Sequence, residues 1–281
     1  MKLRKVTAAS AVVFALALTA TACGGDDSKD NGSSSSGGGE KIKIGIKYDQ
    51  PGLGLKTPDG SFTGFDVDVA TYVAKELGYE PNQIEWVETK SADRETALAR
   101  GDVKLIAATY SITDERKQKV DFAGPYLLAH QDLLIKSDAD ISEATDLNDK
   151  KLCSVTGSTS AQNVKKDFAP KAQLSNRGGY SECLSALQNG QVDALTTDDS
   201  ILAGYAAQDA YKGKFKLAGL KLSNENYGIG VKKGDTETVN KVNDALEKMV
   251  SDGAWQKAVD DNFGPANYKN EPAPKIGQLV K

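Results

Sequence analysis

The sequence contains a single histidine, His130, among its 281 residues. One histidine leaves little for histidine-based catalysis or for a histidine-rich metal site, and we expect no metal and no other cofactor. Acidic residues outnumber basic ones, and the lysines and arginines are scattered along the chain, which argues against a nucleic-acid partner. The formal net charge of -4 and the hydrophobic content of 39% are ordinary, and the length allows one or two packed domains.

Long apolar runs are also absent, apart from a short alanine-rich run at residues 8–20 that follows a basic start. That run is too short for a comfortable membrane span and is typical of a secretory signal peptide, which we expect over residues 1–22. Small residues lead to Cys23, which a plain signal peptide would retain by accident. A lipoprotein signal would lipidate it instead, and the segment resembles a bacterial lipobox with Ala20 where that pattern usually has leucine.

Residues 23–40 contain GGDDSKDNGSSSSGGG, a stretch of Gly, Ser and Asp that cannot pack a core. This composition predicts a flexible linker. A lipidated cysteine followed by a linker would let a folded part move clear of the bilayer. We therefore expect an extracytoplasmic protein that is anchored to the cell membrane through lipidated Cys23.

Two further cysteines, Cys153 and Cys183, complete the set of three. An exported chain folds in an oxidising compartment, so this pair predicts a disulfide; the alternative is two unrelated buried thiols. On the chain-entropy model, closing a loop of that length would stabilise the fold by about 3–4 kcal/mol.

Beyond the linker, apolar strands alternate with amphipathic helices. Strands are predicted at 41–47, 84–87, 105–108, 132–135, 152–155, 192–196 and 227–231, and helices at 65–77, 93–100, 161–168, 182–188, 236–250 and 254–263. The order βαβαβ is typical of a doubly wound parallel sheet, and a second unit of the same kind follows Tyr126. The sequence therefore predicts two α/β lobes, with a polar tail from Pro265 that we expect to be loosely attached.

Polar side chains follow three of these strands, and ligands bind beyond the C-terminal ends of strands in open parallel sheets. A purely structural interpretation is available for each: Arg116 could pair with a neighbouring acid, and the others could cap helices. Together they provide two anion-binding turns and one carboxylate, which match the carboxylate and ammonium of an α-amino acid. They are Thr109, Ser111 and Arg116 after the first strand, Ser158 and Thr159 after the second, and Asp198 after the third.

Five segments, in order, cover nearly the whole chain after the linker and resemble one family. They are GSFTGFDVDVA (60–70), ATYSITDERKQKVDFAGPY (108–126), VTGSTS (155–160), LQNGQVDALTTDD (187–199) and NYGIGVKKGD (226–235). They resemble the polar amino-acid-binding proteins of ABC importers, extracellular solute-binding protein family 3, which are receptors for glutamine, glutamate and histidine. The resemblance extends in particular to actinobacterial glutamate-binding lipoproteins.

This resemblance implies a type II periplasmic-binding-protein-like α/β fold with the ligand in a cleft between two lobes. Lobe 1 would comprise residues 41–130 and 227–281, and lobe 2 residues 131–226. Arg116 would hold the ligand α-carboxylate with Ser111 and Thr159, Asp198 would take the α-ammonium, and Thr109 would add a polar contact. The protein would act as a monomer that captures an amino acid and delivers it to ABC permease subunits.

The side chain of the ligand is less closely defined. In the glutamate/aspartate-binding branch, a Ser-x-x-Arg segment receives the side-chain carboxylate, and Ser91 and Arg94 match it here. Lys47 is the nearest candidate for a further basic contact, whereas Gly178 stands where that branch has a histidine. L-Glutamate is therefore the expected ligand, with glutamine and aspartate as alternatives; Arg94 could also simply pair with a surface acid.

Two other functions compete with capture and delivery. A dehydratase-like enzyme on the same fold would need a general acid or base in the cleft, and His130 is expected near the hinge instead. A sensor or adhesion lipoprotein would bind the amino acid without delivering it. We expect a binding protein and no enzyme.

Overall fold

The computed structural model describes residues 39–281, so the predicted signal peptide, Cys23 and nearly all of the linker lie outside the described residues. The strands are β1 (Ile42–Ile46), β2 (Asp49–Gln50), β3 (Gly54–Lys56), β4 (Phe62–Thr63), β5 (Ile84–Glu88), β6 (Leu105–Ile106), β7 (Val120–Lys136), β8 (Lys151–Val155), β9 (Gln173–Arg177), β10 (Ala194–Asp198), β11 (Phe215–Leu217) and β12 (Asn224–Lys232). The helices are α1 (Phe65–Glu76), α2 (Arg94–Arg100), α3 (Asp114–Lys117), α4 (Ser160–Asn163), α5 (Tyr180–Gln188), α6 (Asp199–Ala206), α7 (Thr236–Ser251) and α8 (Ala254–Phe263).

One long strand, β7, takes part in the sheets of both halves of the protein. Up to His130 it pairs antiparallel with β12, and from Gln131 it pairs antiparallel with β10. We call the half with strand order β5-β1-β6-β12-β7 the first lobe and the half with strand order β7-β10-β8-β9 the second lobe. Each lobe contains three parallel strands, of which the sequence predicted all but β9. A crossing strand adds an antiparallel pair because it arrives from the other lobe.

The first lobe is held together by α1, whose apolar residues repeat at helical spacing. Phe65, Val69 and Val73 are fully buried against the sheet, while the exposed face is polar. The Phe65 ring centroid lies 6.0 Å from that of Trp255 and 5.1 Å from that of Phe263. This aromatic cluster fixes α1 against α8, so the loops at the edge of the sheet are carried on a rigid base.

One local prediction was wrong, and two short strands were not predicted at all. The helix predicted at 161–168 is a four-residue helix, α4, followed by a π-helical turn at Val164–Phe168. Strands β9 and β11 carry no clear alternation of apolar and polar residues, and they form because neighbouring strands offer free backbone groups. These errors concern the second lobe, where short polar elements depend on tertiary pairing.

The C-terminal tail is docked along the hinge, contrary to the expectation that it is loosely attached. The Asn226 side chain accepts from the Val280 amide (3.0 Å) and donates to the Val280 carbonyl (2.9 Å). The Gly277 amide donates to the carbonyl of Gly124 (2.9 Å). These partners lie on β12 and β7, so one side chain and one backbone carbonyl of the crossing strands explain an attachment that the polar composition of the tail does not reveal.

The predicted disulfide between Cys153 and Cys183 is confirmed, with both cysteines fully buried between β8 and α5. Replacing both cysteines with alanine is expected to lower the free energy of unfolding by about 3–4 kcal/mol, because the closed loop restricts the unfolded chain. Urea unfolding monitored by circular dichroism would measure the change. A loss below about 1 kcal/mol would contradict the prediction, and the wild type with its disulfide reduced, which keeps both side chains, controls for the lost side-chain packing.

No helix within residues 39–281 has both the length and the apolar content that a membrane crossing requires.

Candidate ligand-binding cleft

Arg116 lies at the turn between β6 and the short helix α3. Thr113 is the N-cap residue of α3, and its hydroxyl accepts from the Arg116 amide (3.2 Å). Because α3 has only four residues, Arg116 lies in its last turn, where a cation interacts favourably with the helix dipole. This geometry turns the side chain inward, and Arg116 is 7% exposed.

The guanidinium of Arg116 contacts both lobes. Its Nη1 donates to the carbonyl of Ser111 (2.8 Å), and its Nη2 donates across the cleft to the carbonyl of Gly157 (3.1 Å). The nearest carboxylate, that of Glu95, lies 3.8 Å from Nε and is partly exposed. Among the described residues Arg116 does not pair with the neighbouring acid Asp114, which pairs with Lys117 instead. Arg116 therefore keeps N–H donors for a further anion.

Thr109 precedes this turn in a strained backbone conformation. Its φ of 45 places a β-branched residue in the left-handed region, which such residues rarely adopt. The buried carboxylate of Asp66 holds it there by accepting from the Thr109 amide (2.8 Å) and from the Tyr126 hydroxyl (2.7 Å). Burial raises the pKa of Asp66 to about 6 in spite of these two hydrogen bonds. Asp66 thereby fixes the backbone of Thr109 at the start of the turn that leads to Ser111 and Arg116.

A second cationic group lies beside the first. Lys47 donates through Nζ to the hydroxyl of Ser91 (2.9 Å), and Arg94 donates through Nη1 to the carbonyl of Ala108 (3.1 Å). Within residues 39–281 no acid pairs with Arg94, and its Nε has no hydrogen-bond partner. Burial, followed by the charge of Arg94, lowers the pKa of Lys47 to about 7, and burial followed by the charge of Arg116 lowers the pKa of Arg94 to about 10.

Both guanidiniums pack against one aromatic ring. The Cζ of Arg94 lies 3.9 Å from the centroid of the Tyr110 ring, and the Cζ of Arg116 lies 5.1 Å from it. A cation over a ring face is stabilised by the ring quadrupole. Tyr110 is fully buried, so it fixes the two guanidiniums side by side with like charges facing one cavity.

The second lobe contributes Asp198 at the end of β10. It occupies the N-cap position of α6, but its side chain makes no capping hydrogen bond, so the interpretation of Asp198 as a plain cap is not supported. Its Oδ2 accepts instead from the hydroxyl of Tyr227 (2.5 Å) on β12. Burial, together with the charge of Glu225, raises the pKa of Asp198 well above the ordinary value, so a cation beside this carboxylate would stabilise its ionised form.

Ser158 and Thr159 follow β8 opposite Arg116. The Ser158 hydroxyl accepts from the hydroxyl of Tyr180 (3.0 Å), which holds this turn against α5. Thr159 is the N-cap residue of α4, but its side chain makes no capping hydrogen bond. The turn thus presents hydroxyl groups to the cleft from the second lobe.

One small cavity between the lobes brings these side chains together. Eight of the nine residues predicted from the sequence line it, and the ninth, Lys47, is bonded to the lining residue Ser91. The full lining is Ser91, Arg94, Thr109, Ser111, Arg116, Ser158, Thr159, Ser160, Tyr180, Asp198 and Ile201. A larger cavity of about 410 Å³ near α3 and α7 contains none of the nine.

The sequence pattern did not single out Asp66, Tyr180 or Tyr227. Asp66 lies within the segment at 60–70 but resembles an ordinary acid in the first turn of a helix. His130 lies away from this cavity, where its Nε2 is 3.0 Å from a carboxylate oxygen of Glu271. The described residues contain no cluster of His, Cys, Asp and Glu side chains that could hold a metal ion.

A sequence profile of bacterial extracellular solute-binding proteins, family 3, matches residues 42–265. The chain belongs to this family. The resemblance inferred from the five sequence segments, and the two-lobed α/β fold that it implied, are thereby confirmed.

Individual members of the solute-binding family give the same picture. The chain is 47% identical over 272 residues to the glutamate-binding protein GluB of Corynebacterium efficiens, covering 93% of this chain and 91% of that protein. It is 39% identical over 220 residues to the ABC transporter glutamine-binding protein GlnH of Bacillus subtilis, covering 78% and 79%. A solved structure, an ancestral arginine-binding protein bound to glutamine, superposes with a TM-score of 0.74 at 36% identity, covering 80% of this chain and 98% of that chain.

Proposed function

We propose that this protein is an extracytoplasmic solute-binding lipoprotein that captures L-glutamate and delivers it to an ABC permease. The observation that carries the proposal is the buried positive charge of the cleft. Lys47, Arg94 and Arg116 are each at most 7% exposed, and two buried carboxylates, Asp66 and Asp198, accompany them. L-Glutamate has two carboxylates and one ammonium. One carboxylate would be matched by Arg116 and the other by the pair of Lys47 and Arg94, and the ammonium would be matched by Asp198.

Arg116 and Asp198 would recognise the amino-acid backbone of the ligand. A guanidinium matches the α-carboxylate with two parallel hydrogen bonds, and Ser111 and Thr159 would add further polar contacts. Asp198 would receive the α-ammonium, which supplies the cation that its buried carboxylate lacks. Asp66 and Tyr110 would not touch the ligand. They would hold Thr109 and the guanidinium groups of the first lobe in position.

Lys47, Ser91 and Arg94 would receive the side-chain carboxylate. Support comes from the orphaned Nε of Arg94 and from the lowered pKa of Lys47, since an added carboxylate would restore the charged form of that lysine. The 47% identity to a glutamate-binding protein supports the same ligand. Glutamine is the second candidate, favoured by the glutamine-binding relative and by Gly178, which supplies no cationic contact.

Capture would proceed by closure of the two lobes around a hinge at β7 and β12. We assign residues 41–130 and 227–281 to lobe 1 and residues 131–226 to lobe 2. The change of pairing partner of β7 after His130 supports the first boundary, and the start of β12 crosses the second. Arg116 and Asp198 lie on opposite sides of the cleft, so the closed form alone engages both ends of a zwitterion. That differential affinity would shift the population towards the closed form, which a permease would recognise.

Isothermal titration calorimetry at pH 6.5 with L-glutamate, L-glutamine and L-aspartate tests the ligand. L-Glutamate is expected to bind at least about tenfold more tightly than L-glutamine, because an amide leaves the buried cations without a counter-charge. Equal or tighter binding of L-glutamine would overturn the glutamate assignment, and no binding of any amino acid would overturn the proposed function. Loss of labelled amino-acid uptake on deletion would separate delivery from sensing.

Glutamate binding is expected to weaken above about pH 7, by up to about tenfold per pH unit. The Lys47 amine of the free protein loses its proton near pH 7, whereas a bound carboxylate would raise that pKa, so binding takes up a proton. Titrations between pH 6 and 9, in two buffers of different ionisation enthalpy, measure the effect. Lys47→Met should remove the pH dependence for glutamate, and an unchanged slope in that variant would contradict the role of Lys47.

The membrane anchor is a separate part of the proposal. Lipidation of Cys23 would tether the folded part outside the cytoplasmic membrane through the linker at residues 23–40. Cys23→Ala is expected to move the protein from the membrane fraction to the soluble fraction. Unchanged retention in the membrane fraction would contradict the proposed anchor. It would not bear on the proposal that the protein binds an amino acid.

A further inference from the structure

Asp49 lies on β2 at the rim of the cleft and touches the second lobe rather than the cavity. Its Oδ2 accepts from the amide (3.2 Å) and from the hydroxyl (3.0 Å) of Ser181, the second residue of α5. Its backbone carbonyl accepts from the hydroxyl of Tyr205 on α6 (2.5 Å). One residue of the first lobe therefore bonds to two helices of the second lobe, and it is not part of the cavity lining.

Helix α5 has no side-chain cap of its own. Its N-cap residue is Gly179, which has no side chain to satisfy the free amides of the first turn. The carboxylate of Asp49 takes this role from the other lobe, where it also lies favourably at the positive end of the helix dipole. A β-carbon at position 179 would lie 2.8 Å from Asp49 Oδ2, so a larger residue there would displace the carboxylate from this approach.

The chain beside Asp49 also packs directly on α6. A β-carbon added to Gly204, in the middle of that helix, would overlap the carbonyl oxygen of Pro51. Glycine inside a helix is unfavourable by itself, so its position here is explained by the close approach of residues 49–51. Both contacts exist only when the two lobes lie together.

We propose that Asp49, with the facing residues Ser181 and Gly204, forms a latch that stabilises the closed form without touching the ligand. The inference rests on the proposed function, because it assigns part of the ligand affinity to a contact between the lobes. Opening would leave the first turn of α5 uncapped and would separate Pro51 from α6. Asp49 would therefore set how long the lobes stay closed, whereas the cavity residues would set which amino acid is held.

Asp49→Ala is expected to weaken L-glutamate binding by about 3- to 30-fold, mainly through faster dissociation, because one helix cap is lost in the closed form alone. Asp59→Ala is the matched control, since Asp59 is an exposed acid in the turn between β3 and β4 and bonds within that turn. Asp59→Ala should leave the affinity unchanged.

A double-mutant cycle with Ser181→Ala separates the latch from the electrostatic effect of Asp49 on nearby Lys47. Ser181 is uncharged, so a latch predicts that Asp49→Ala costs less affinity in the Ser181→Ala background than in the wild type. Fully additive losses would overturn the latch and assign the effect of Asp49 to its charge.

Gly204→Ala provides an independent test. Alanine favours the helix, so the melting temperature of the ligand-free protein should stay the same or rise, while affinity falls because the lobes cannot close fully. Wild-type affinity in Gly204→Ala would overturn the latch. Small-angle scattering with and without L-glutamate distinguishes the two proposals. A wild type whose radius of gyration does not fall on adding L-glutamate would refute capture by closure, whereas a full wild-type decrease in Gly204→Ala would refute the latch alone.

Discussion

Replacing Arg116 with alanine is expected to weaken amino-acid binding by about 2–5 kcal/mol, which is roughly 30- to 5,000-fold in Kd. The substitution would leave the ligand α-carboxylate without a counter-charge in a buried cleft. It would also remove the hydrogen bond across the cleft to the carbonyl of Gly157, so the closed form would lose a contact of its own. Isothermal titration calorimetry with L-glutamate measures the change.

Two further variants make the Arg116 experiment specific. Arg116→Lys keeps the charge but loses the planar pair of donors, so an intermediate loss is expected. Lys117→Ala removes a neighbouring cation that is exposed and pairs with Asp114, and it should bind as the wild type does. Near-wild-type affinity in Arg116→Ala would count decisively against the assignment of the α-carboxylate.

Asp198→Asn is expected to weaken binding by a similar amount, about 2–5 kcal/mol, while leaving the ligand-free fold at least as stable. The sign for stability follows from the raised pKa of Asp198: keeping this carboxylate ionised in the folded protein at neutral pH costs free energy, and an amide avoids that cost. The amide oxygen can still accept from the Tyr227 hydroxyl. The ammonium of the ligand, however, would lose its only proposed anionic partner.

Calorimetry and thermal unfolding together test Asp198→Asn. The expected result is a large loss of affinity with an unchanged or higher melting temperature in the absence of ligand. Asp209→Asn, which removes an exposed acid from the same lobe, is the charge-matched control. A large drop in the ligand-free melting temperature would instead indicate that Asp198 is mainly structural, and unchanged affinity would exclude it from the ammonium site.

Arg116→Ala and Asp198→Asn test opposite sides of the cleft. Arg116 and the pair of Lys47 and Arg94 lie on the first lobe, whereas Asp198 lies on the second. Each substitution therefore removes a ligand contact that one lobe would provide. If affinity survived both substitutions, the small cavity would not be the ligand site. Loss in both, with the ligand-free fold intact, would support recognition of a zwitterion shared between the lobes.

Much of the fold was accessible from local sequence signals. The helix at Ala254–Phe263 has the predicted bounds, and α1 and α7 differ from theirs by one residue, because apolar periodicity and end signals act within a few residues of the chain. The disulfide was predictable because only one pair of cysteines remained. Strands β9 and β11 and the docked tail were not, since their partners lie far away in the sequence.

The cleft shows the same division between local and distant causes. The sequence alone placed Arg116 at a turn between a strand and a helix, and Asp198 at the end of another strand, because strand ends and N-caps are encoded by adjacent residues. Only the tertiary structure brought the Asp66 carboxylate to the strained Thr109, the Tyr227 hydroxyl to Asp198, and Asp49 to the uncapped start of α5. Those contacts join residues that are 29 to 132 positions apart, and a hydrogen bond over such a separation depends on how the elements pack.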